Sequence, residues 1–406
     1  MTDTQMEMER RIHHPRLSSV LTALGAVWAA VAAVLFLSAH RMEPLVVGEG
    51  VTSIRRLSEW HTPLAGTPGD TDVYVLDSGV EGAKVLITFG THPNEVASHV
   101  AGTLMVENAV CREGMLMVIV HTNASGFTHG DPQEAYPTRF EIERPDGTRR
   151  WFRFGSRYTN PVHQWPDPTL HINPAGQVLA GIDSRNLNRC YPGRPHGFLT
   201  EQVAWAVCEL IRQEDVDLFI DIHEAAPEYP TVNVMIAHER AMELASEALI
   251  DLEMGIPGFE INLEPSPLNL RGLTHREVGD STDAMAVLME TANPSQGRLK
   301  GRTTEEQVVE GRDSAYTQAY QHQIEIQARG TGDEASRRIL WALPYDSASG
   351  TYPLRFRVAR HLAGIESLLN ALTYHTDRGI AVEGIPDHGD LITQGIGAFL
   401  APPPED

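Results

Sequence analysis

Residues 85–95 read Val85-Leu-Ile-Thr-Phe-Gly-Thr-His-Pro-Asn-Glu95, an apolar run followed by a turn. The run is typical of a β-strand, and apolar residues at helical spacing follow Glu95. In open α/β sheets, ligands bind where strands end and helices begin. His92 and Glu95 lie at such a point, and imidazole nitrogen with carboxylate oxygen suits zinc. The pair alone does not establish a metal site, because His and Glu at this spacing are common on protein surfaces.

Two further apolar runs predict strands that lead to His223 and Glu290. A catalytic zinc takes three protein ligands and a water, and His223 is our candidate for the third ligand. Asp221 and Glu224, on either side of His223, are candidates to orient its ring. Glu290 is either a capping acid or a general base, and its position after a strand leaves both interpretations open.

A polar stretch, Asp183-Ser-Arg-Asn-Leu-Asn-Arg-Cys-Tyr-Pro-Gly193, is the second informative region. Arginine presents a planar fork of donors that fits carboxylates and oxyanions, and asparagine adds a short neutral donor. The alternative is a polar loop that satisfies its own backbone. From the residues alone, the two interpretations are equally balanced.

The composition is that of an ordinary globular protein, with 406 residues of which 42% are hydrophobic. Lys and Arg number 32 against 54 Asp and Glu, so the formal net charge is −22. That charge argues against nucleic-acid binding through a basic face. The three cysteines are far apart in the sequence and indicate neither a disulfide framework nor a thiolate metal site.

The N-terminal region predicts a membrane anchor. Residues 1–16 are interpreted as a tail. Residues 17–39 form a stretch without any charged side chain, and this stretch is long enough for a transmembrane helix of about 20 residues. A cleaved signal peptide is the alternative, but its apolar region is normally about 7–15 residues. Arginines before the span predict that the large domain lies outside the cytoplasm. Residues 40–70, rich in Pro and Gly, are interpreted as a linker.

One catalytic domain, residues 71–406, accounts for the remaining chain. Residues 124–182 show no clear period and are interpreted as a long loop that could wall a substrate cleft. Amphipathic patterns predict helices at 201–212, 239–252 and 354–372, with a possible helix at 305–327.

Taken together, these pieces resemble the zinc carboxypeptidase superfamily, and most closely its succinylglutamate desuccinylase/aspartoacylase branch. The matching pieces are Gly90-Thr-His-Pro-Asn-Glu95, Asn186-Leu-Asn-Arg-Cys-Tyr-Pro-Gly193, Ile220-Asp-Ile-His223 and Met289-Glu-Thr-Ala-Asn-Pro294, in the family's order. The resemblance implies an α/β fold of three layers, with helices on both sides of a mixed central sheet.

The resemblance further implies Zn²⁺ held by His92, Glu95 and His223, with water completing the site. The chain departs from the family at one position. The family often has Asp where this chain has Asn186, and a neutral side chain raises the basicity of a zinc ligand less.

The resemblance also assigns roles around the metal. Asn188 and Arg189 would hold a substrate carboxylate, and Glu290 would activate water and shuttle its proton. Arg185 is a candidate for stabilising the tetrahedral oxyanion.

The expected function is that of a membrane-anchored zinc amide hydrolase acting on an N-acyl amino acid or a related small amide. One alternative is a carboxypeptidase acting on peptides or cell-wall stems, which needs the same metal core. A second is a membrane-tethered binding protein without turnover. The expected partners are a small amide or short peptide with a carboxylate, and a membrane through the N-terminal helix, but no nucleic acid.

Overall fold

The computed structural model describes residues 15–39, 41–130, 137–227, 229, 232–296, 302–312, 326–327, 338–339 and 352–403. The chain divides into two compact units, Met1–Arg41 and Met42–Asp406. All the described strands belong to the second unit.

The first unit contains helix α1 (Pro15–Ala39). Its segment Leu17–Ser38 has a mean hydropathy of 2.4, and none of it is buried inside the protein. The helix is therefore long and apolar enough to cross a membrane, as the sequence predicts. A signal sequence near the N-terminus has the same features.

The second unit alternates strands and helices along much of its length. The described strands are β1 (Ser53–Arg56), β2 (Asp72–Asp77), β3 (Lys84–Thr88), β4 (Val110–Glu113), β5 (Met115–Ile119), β6 (Arg139–Glu143), β7 (Arg149–Arg153), β8 (Leu170–Ile172), β9 (Val178–Ala180), β10 (Leu218–Ala225), β11 (Val234–Ala237), β12 (Asn262–Pro265), β13 (Met285–Ala292), β14 (Ile326–Gln327), β15 (Arg338–Ile339) and β16 (Ala381–Glu383). The described helices are α2 (Val96–Asn108), α3 (Leu199–Glu214), α4 (Met242–Gly255), α5 (Thr274–Ser281), α6 (Glu305–Glu310), α7 (Leu354–His375) and α8 (His388–Gln394).

Eight strands form one mixed sheet in the order β1-β2-β5-β3-β10-β13-β11-β12. The four central strands, β5, β3, β10 and β13, are parallel to one another, while β2 and β11 run antiparallel to them. The parallel strands are apolar and buried on both faces, which explains their continuous hydrophobic runs. Their carboxyl ends consequently meet at one edge of the sheet.

Two hydrophobic cores cover the two faces of the sheet. Alternate residues of β3 separate them, because Val85 and Ile87 pack into one core and Leu86 into the other. Helices α2, α4 and α7 contribute to the first core, and α3 and α5 to the second. The fold is therefore the three-layer α/β arrangement with a mixed central sheet that the sequence predicts.

The region expected to be a linker, residues 40–70, is largely part of the domain. Strand β1 pairs antiparallel with β2 at the edge of the main sheet. Its Arg55 donates to Glu214, 159 residues later, at a distance of 2.8 Å. Because its partners are distant in sequence, the Pro- and Gly-rich composition gave no sign of this strand.

Two other expectations also change. Residues 124–182 contain two antiparallel hairpins, β6–β7 and β8–β9, instead of one irregular loop. The helix expected at 305–327 ends at Glu310, where Gly311 adopts a φ of 63° and caps it. Residues 313–325 of that expected helix lie outside the described residues.

Candidate metal centre

Three potential metal ligands, His92, Glu95 and His223, come together at the carboxyl edge of the central strands. Their ligand atoms all lie within 4.8 Å of one another, and the three side chains are buried. Strand β3 leads to His92, and its parallel neighbour β10 contains His223 near its end. The turn after β3 requires glycine, because Gly90 has a φ of 64° and a Cβ there would lie 2.7 Å from the carbonyl oxygen of Val120.

Glu95 lies between the two imidazoles. Its Oε1 is 2.7 Å from Nδ1 of His92, and its Oε2 is 2.8 Å from Nδ1 of His223. The two rings meet edge to face, with centroids 4.8 Å apart. Glu95 is the N-cap residue of α2, but its side chain makes no capping hydrogen bond. The carboxylate is therefore directed to the histidines and not to the helix end.

The opposite ring nitrogens are both held by oxygen acceptors. Nε2 of His92 is 2.9 Å from Oδ1 of Asn186, and Nε2 of His223 is 2.7 Å from Oδ2 of Asp221. An amide oxygen and an ionised carboxylate only accept hydrogen bonds, so each Nε2 carries a proton. When a metal displaces the proton from Nδ1, each ring would turn its Nδ1 lone pair toward the space beside Glu95. Two lone pairs and a carboxylate that converge in this way form the donor set of a divalent metal ion.

The electrostatic field at the site favours a cation beside His223. Burial alone lowers the pKa of His223, but the charges of Asp221 and Glu95 outweigh it and raise that pKa to about 10. Burial and the charge of Arg157 lower the pKa of His92 to about 4. Burial also opposes ionisation of Glu95, yet the two histidines hold its pKa well below the usual range. The potential metal site formed by these three residues is thus more negative near His223 than near His92.

The carboxylate of Asp221 is held in place by hydrogen bonds from two threonines. The hydroxyls of Thr88 and Thr91 donate to its Oδ1 at 2.8 and 2.9 Å, while Oδ2 receives the proton of His223. All of these groups are buried. The orientation of His223 therefore depends on a carboxylate that has no rotational freedom of its own. Of the two acids expected to orient His223, Asp221 contacts the ring, and the carboxylate of Glu224 is bonded elsewhere.

Glu290 lies beside His223 in the sheet. The two residues are directly paired in the register of parallel strands β10 and β13, so their side chains leave the same face. The carboxylate of Glu290 makes no hydrogen bond to the described residues, and burial raises its pKa to about 7. A carboxyl group with that pKa can both accept and return a proton near neutral pH.

Asn188 and Arg189 occupy a short 3₁₀ turn, Leu187–Arg189, which directly follows Asn186, the residue that holds His92. The backbone N–H of Thr274 donates to Oδ1 of Asn188 at 2.8 Å, which fixes the amide group. Burial and the charge of Arg157 lower the pKa of Arg189, and the charge of Glu290 also acts on it. The charges of Arg157 and Glu290 therefore both act on the guanidinium of Arg189.

Known proteins give a structural comparison only. No protein-family model matches the chain, and no curated protein matches it. Among solved structures, a succinylglutamate desuccinylase from Silicibacter sp. TM1040 is 16% identical with a TM-score of 0.33, over 54% of this chain and 53% of that one. A metallo-carboxypeptidase from Burkholderia cenocepacia is 13% identical with a TM-score of 0.37, over 82% and 68%.

An aspartoacylase family protein from Mesorhizobium loti is 18% identical with a TM-score of 0.32, over 54% of this chain and 56% of that one. The chain thus spans about half the length of the desuccinylase and aspartoacylase-family structures. Both groups of the sequence resemblance occur among the similar structures. The TM-scores are low, so the roles of the site residues are argued from the contacts described above.

The structure places one expected residue differently. Arg185, the candidate for the oxyanion, is bound by both oxygens of Asp167 at 2.7 and 3.0 Å and donates to the carbonyl of Thr159. These bonds tie together the hairpin region and leave Arg185 without a described contact to the three metal ligands. These bonds to Asp167 and Thr159 account for the position of the Arg185 guanidinium.

A different arginine reaches the ligands. Nη1 of Arg157 lies 3.2 Å from Nδ1 of His92, and Nη2 donates to Glu95 at 3.0 Å and to Gln296 at 3.2 Å. Arg157 follows strand β7 in a segment with several arginines, and no local pattern distinguishes it from the others. The sequence analysis therefore missed it, because its role depends on how the hairpin folds back over the strand ends.

Proposed function

We propose that the chain is a zinc-dependent amide hydrolase acting on an N-acyl amino acid or a related small amide that carries a carboxylate. The observation that carries this proposal is the convergence of two Nδ1 atoms and Glu95, with the carboxyl group of Glu290, which makes no hydrogen bond to the described residues, on the paired position beside His223. A metal with a neighbouring base is the arrangement required for attack by water on an amide.

Zinc fits the donor set better than magnesium or calcium. Two imidazoles and one carboxylate form a common catalytic zinc site, whereas magnesium and calcium prefer oxygen ligands alone. His92, Glu95 and His223 would hold the ion, and Asn186 and Asp221 would orient the rings. When bound, zinc lowers the pKa of a coordinated water toward about 7 and polarises a carbonyl group.

Glu290 supplies the proton transfer in this proposal. Its carboxylate takes a proton from the attacking water and later delivers that proton to the leaving nitrogen. Its pKa of about 7 suits both steps near neutral pH. The products are a carboxylic acid and an amine, and no covalent intermediate with the protein is needed.

Two arginines have separate roles in the same proposal. Arg157, which contacts the ligand pair, stabilises the negative charge that develops on the carbonyl oxygen. Arg189 binds the carboxylate of the substrate through its planar fork, and Asn188 contributes its amide group beside it. Because a terminal carboxylate is also the feature that a carboxypeptidase recognises, a peptide substrate remains the alternative in the experiment.

The experiment is a comparison of substrate classes with the purified full-length protein, stripped of metal and reloaded with zinc. We expect zinc-dependent release of amine from N-acyl amino acids, and a loss of rate when the substrate carboxylate is amidated. Faster cleavage of C-terminal peptides would favour the carboxypeptidase. Tight binding of these compounds with no turnover in the zinc-loaded protein would contradict a hydrolase and support a binding protein.

We further propose that Leu17–Ser38 is a retained signal anchor and that the catalytic unit lies outside the cytoplasm. Three arginines, Arg10, Arg11 and Arg16, precede the segment Leu17–Ser38, and only Arg41 follows it closely. N-terminal sequencing of the membrane-bound protein and a reporter at the C-terminus test the two parts. A mature chain that begins after the helix would contradict retention, and a cytoplasmic reporter signal would contradict the orientation.

A further inference from the structure

The residue after His223 connects three parts of the fold through one carboxylate. Oε2 of Glu224 accepts hydrogen bonds from the backbone N–H of Ala97 at 2.9 Å and from Nδ2 of Asn293 at 3.0 Å. Oε1 accepts from Nη1 of Arg357 at 2.5 Å. All of these side chains are buried, with the side chains of Glu224 and Arg357 fully enclosed.

Each of these bonds leads to an element that carries a site residue. Ala97 lies in the first turn of α2, two residues after the ligand Glu95. Asn293 follows the end of β13, three residues after Glu290. The backbone N–H of Glu224 itself donates to Oε2 of Glu95 at 3.0 Å. One buried carboxylate therefore links the helix of Glu95 and the strand of Glu290 to the strand of His223.

Arg357 is the only charged donor to this carboxylate among the described residues. It comes from the long helix α7, more than one hundred residues later, and its Nη2 donates to the carbonyl of Val308. A buried carboxylate that loses its counter-charge is strongly destabilised, and the surrounding groups rearrange to relieve it. The position of Glu224 thus depends on Arg357.

We propose that Glu224 and Arg357 form a positioning clamp that sets the spacing between the metal ligands and Glu290. The clamp rests on the proposed zinc-dependent reaction, and neither residue touches the substrate. Its function is to hold the first turn of α2 and the end of β13 against β10, so that Glu95, His223 and Glu290 face one another at a fixed separation.

A second buried ion pair provides a matched control. Arg150 of β7 contacts Oε1 of Glu107 at 2.8 Å, and both side chains are enclosed to the same degree as the clamp pair. Glu107 lies near the opposite end of α2, about 18 Å from Glu95 at 1.5 Å rise per residue. Loss of this pair removes a buried Arg–Glu pair from the far end of α2, away from the metal ligands, whereas the clamp contacts the first turn of the same helix.

The test compares Arg357→Met with Arg150→Met in the full-length protein. Zinc affinity is measured by competition with a chromogenic chelator, and thermal stability is measured on the same samples. We expect both variants to melt at lower temperature, and only Arg357→Met to bind zinc about 10- to 100-fold more weakly, the usual cost of removing an outer support. Equal zinc affinities in the two variants would overturn the clamp.

A double variant covers the case in which Arg357→Met does not fold. Glu224→Met combined with Arg357→Met leaves no unpaired charge, and it removes the acceptor of both the Ala97 N–H and the Asn293 amide. We expect this variant to fold and still to bind zinc more weakly than the wild type. Wild-type zinc affinity in the folded double variant would overturn the clamp.

These measurements separate the clamp from the proposed function. Zinc affinity needs no substrate, so the clamp stands or fails even where no amide is cleaved. If zinc-loaded wild type cleaves none of the amides, the proposed function fails while the comparison of Arg357→Met and Arg150→Met still decides the clamp. Where turnover is found, the clamp predicts a fall in kcat with little change in KM, because substrate contacts are preserved.

Discussion

His223 and His92 face the same carboxylate from opposite sides, but their surroundings differ in charge. On the His223 side, Asp221 holds the ring and Glu290 lies beside it, and the negative charges of Asp221 and Glu95 raise the pKa of His223 to about 10. All three residues of this side belong to the parallel strands β10 and β13.

On the His92 side, the ring is held by the neutral Asn186, and the cation Arg157 lies next to its other nitrogen. Burial and this cation lower the pKa of His92 to about 4. Asn186 and Arg157 both come from irregular segments outside the main sheet. One side of the site is therefore rich in carboxylates, which suits the proposed metal and base, and the other carries hydrogen-bond donors, which suit the proposed developing anion.

The largest effect on turnover is expected on the His223 side of the site, where Glu290 lies. Glu290→Gln is nearly isosteric and keeps the side chain in place, but it removes the group that moves the proton. We expect turnover to fall by roughly 10²–10⁴-fold, with zinc content and melting temperature close to the wild type. Near-normal turnover in a folded, zinc-loaded variant would contradict the role given to Glu290.

The next largest effect on turnover is expected on the His92 side of the site, where Arg157 lies. Arg157→Met removes the donor for the oxyanion, and we expect kcat to fall by about 10²–10³-fold while zinc remains bound. Arg185→Met is the control, because Arg185 pairs with Asp167 and should affect stability more than kcat. If Arg185→Met lowers kcat more than Arg157→Met, the original expectation from the sequence resemblance is restored.

A smaller effect, on zinc affinity, is expected for Asp221 and Asn186, which contact the Nε2 atoms of the two histidines. Asp221→Asn removes the charge that supports His223, and we expect about 10- to 100-fold weaker zinc binding. Asn186→Ala removes only a neutral acceptor from His92 and should weaken binding by less. Measuring both zinc dissociation constants checks the asymmetry, and equal losses would show that the two sides of the site are equivalent.

The two sides also differ in how well they could be predicted from the sequence. His92, Glu95, His223 and Glu290 were identified because each follows or ends a buried apolar strand, and strand ends meet at one edge by geometry alone. The central strands and most of the helices were predicted for the same reason, since their hydrophobic periods are local features of the chain.

Arg157 could not be predicted, because its position depends on a hairpin that folds over the strand ends. The resemblance instead offers Arg185 as the candidate for the oxyanion, and its partner Asp167 is 18 residues away. The Arg357–Glu224 pair could not be predicted for the same physical reason, because its members are 133 residues apart and no local pattern indicates such a pairing. Strand β1 could not be predicted because it is only four residues long and lies in a Pro- and Gly-rich segment.

The measurement that tests the central claim most directly is the zinc content of the full-length protein and of His223→Ala. Three protein ligands and a water hold a catalytic zinc, so the account predicts about one zinc per chain in the wild type. It predicts loss of most of that zinc in His223→Ala at the same free zinc concentration, with the fold retained. Full zinc occupancy in His223→Ala would contradict the site formed by His92, Glu95 and His223.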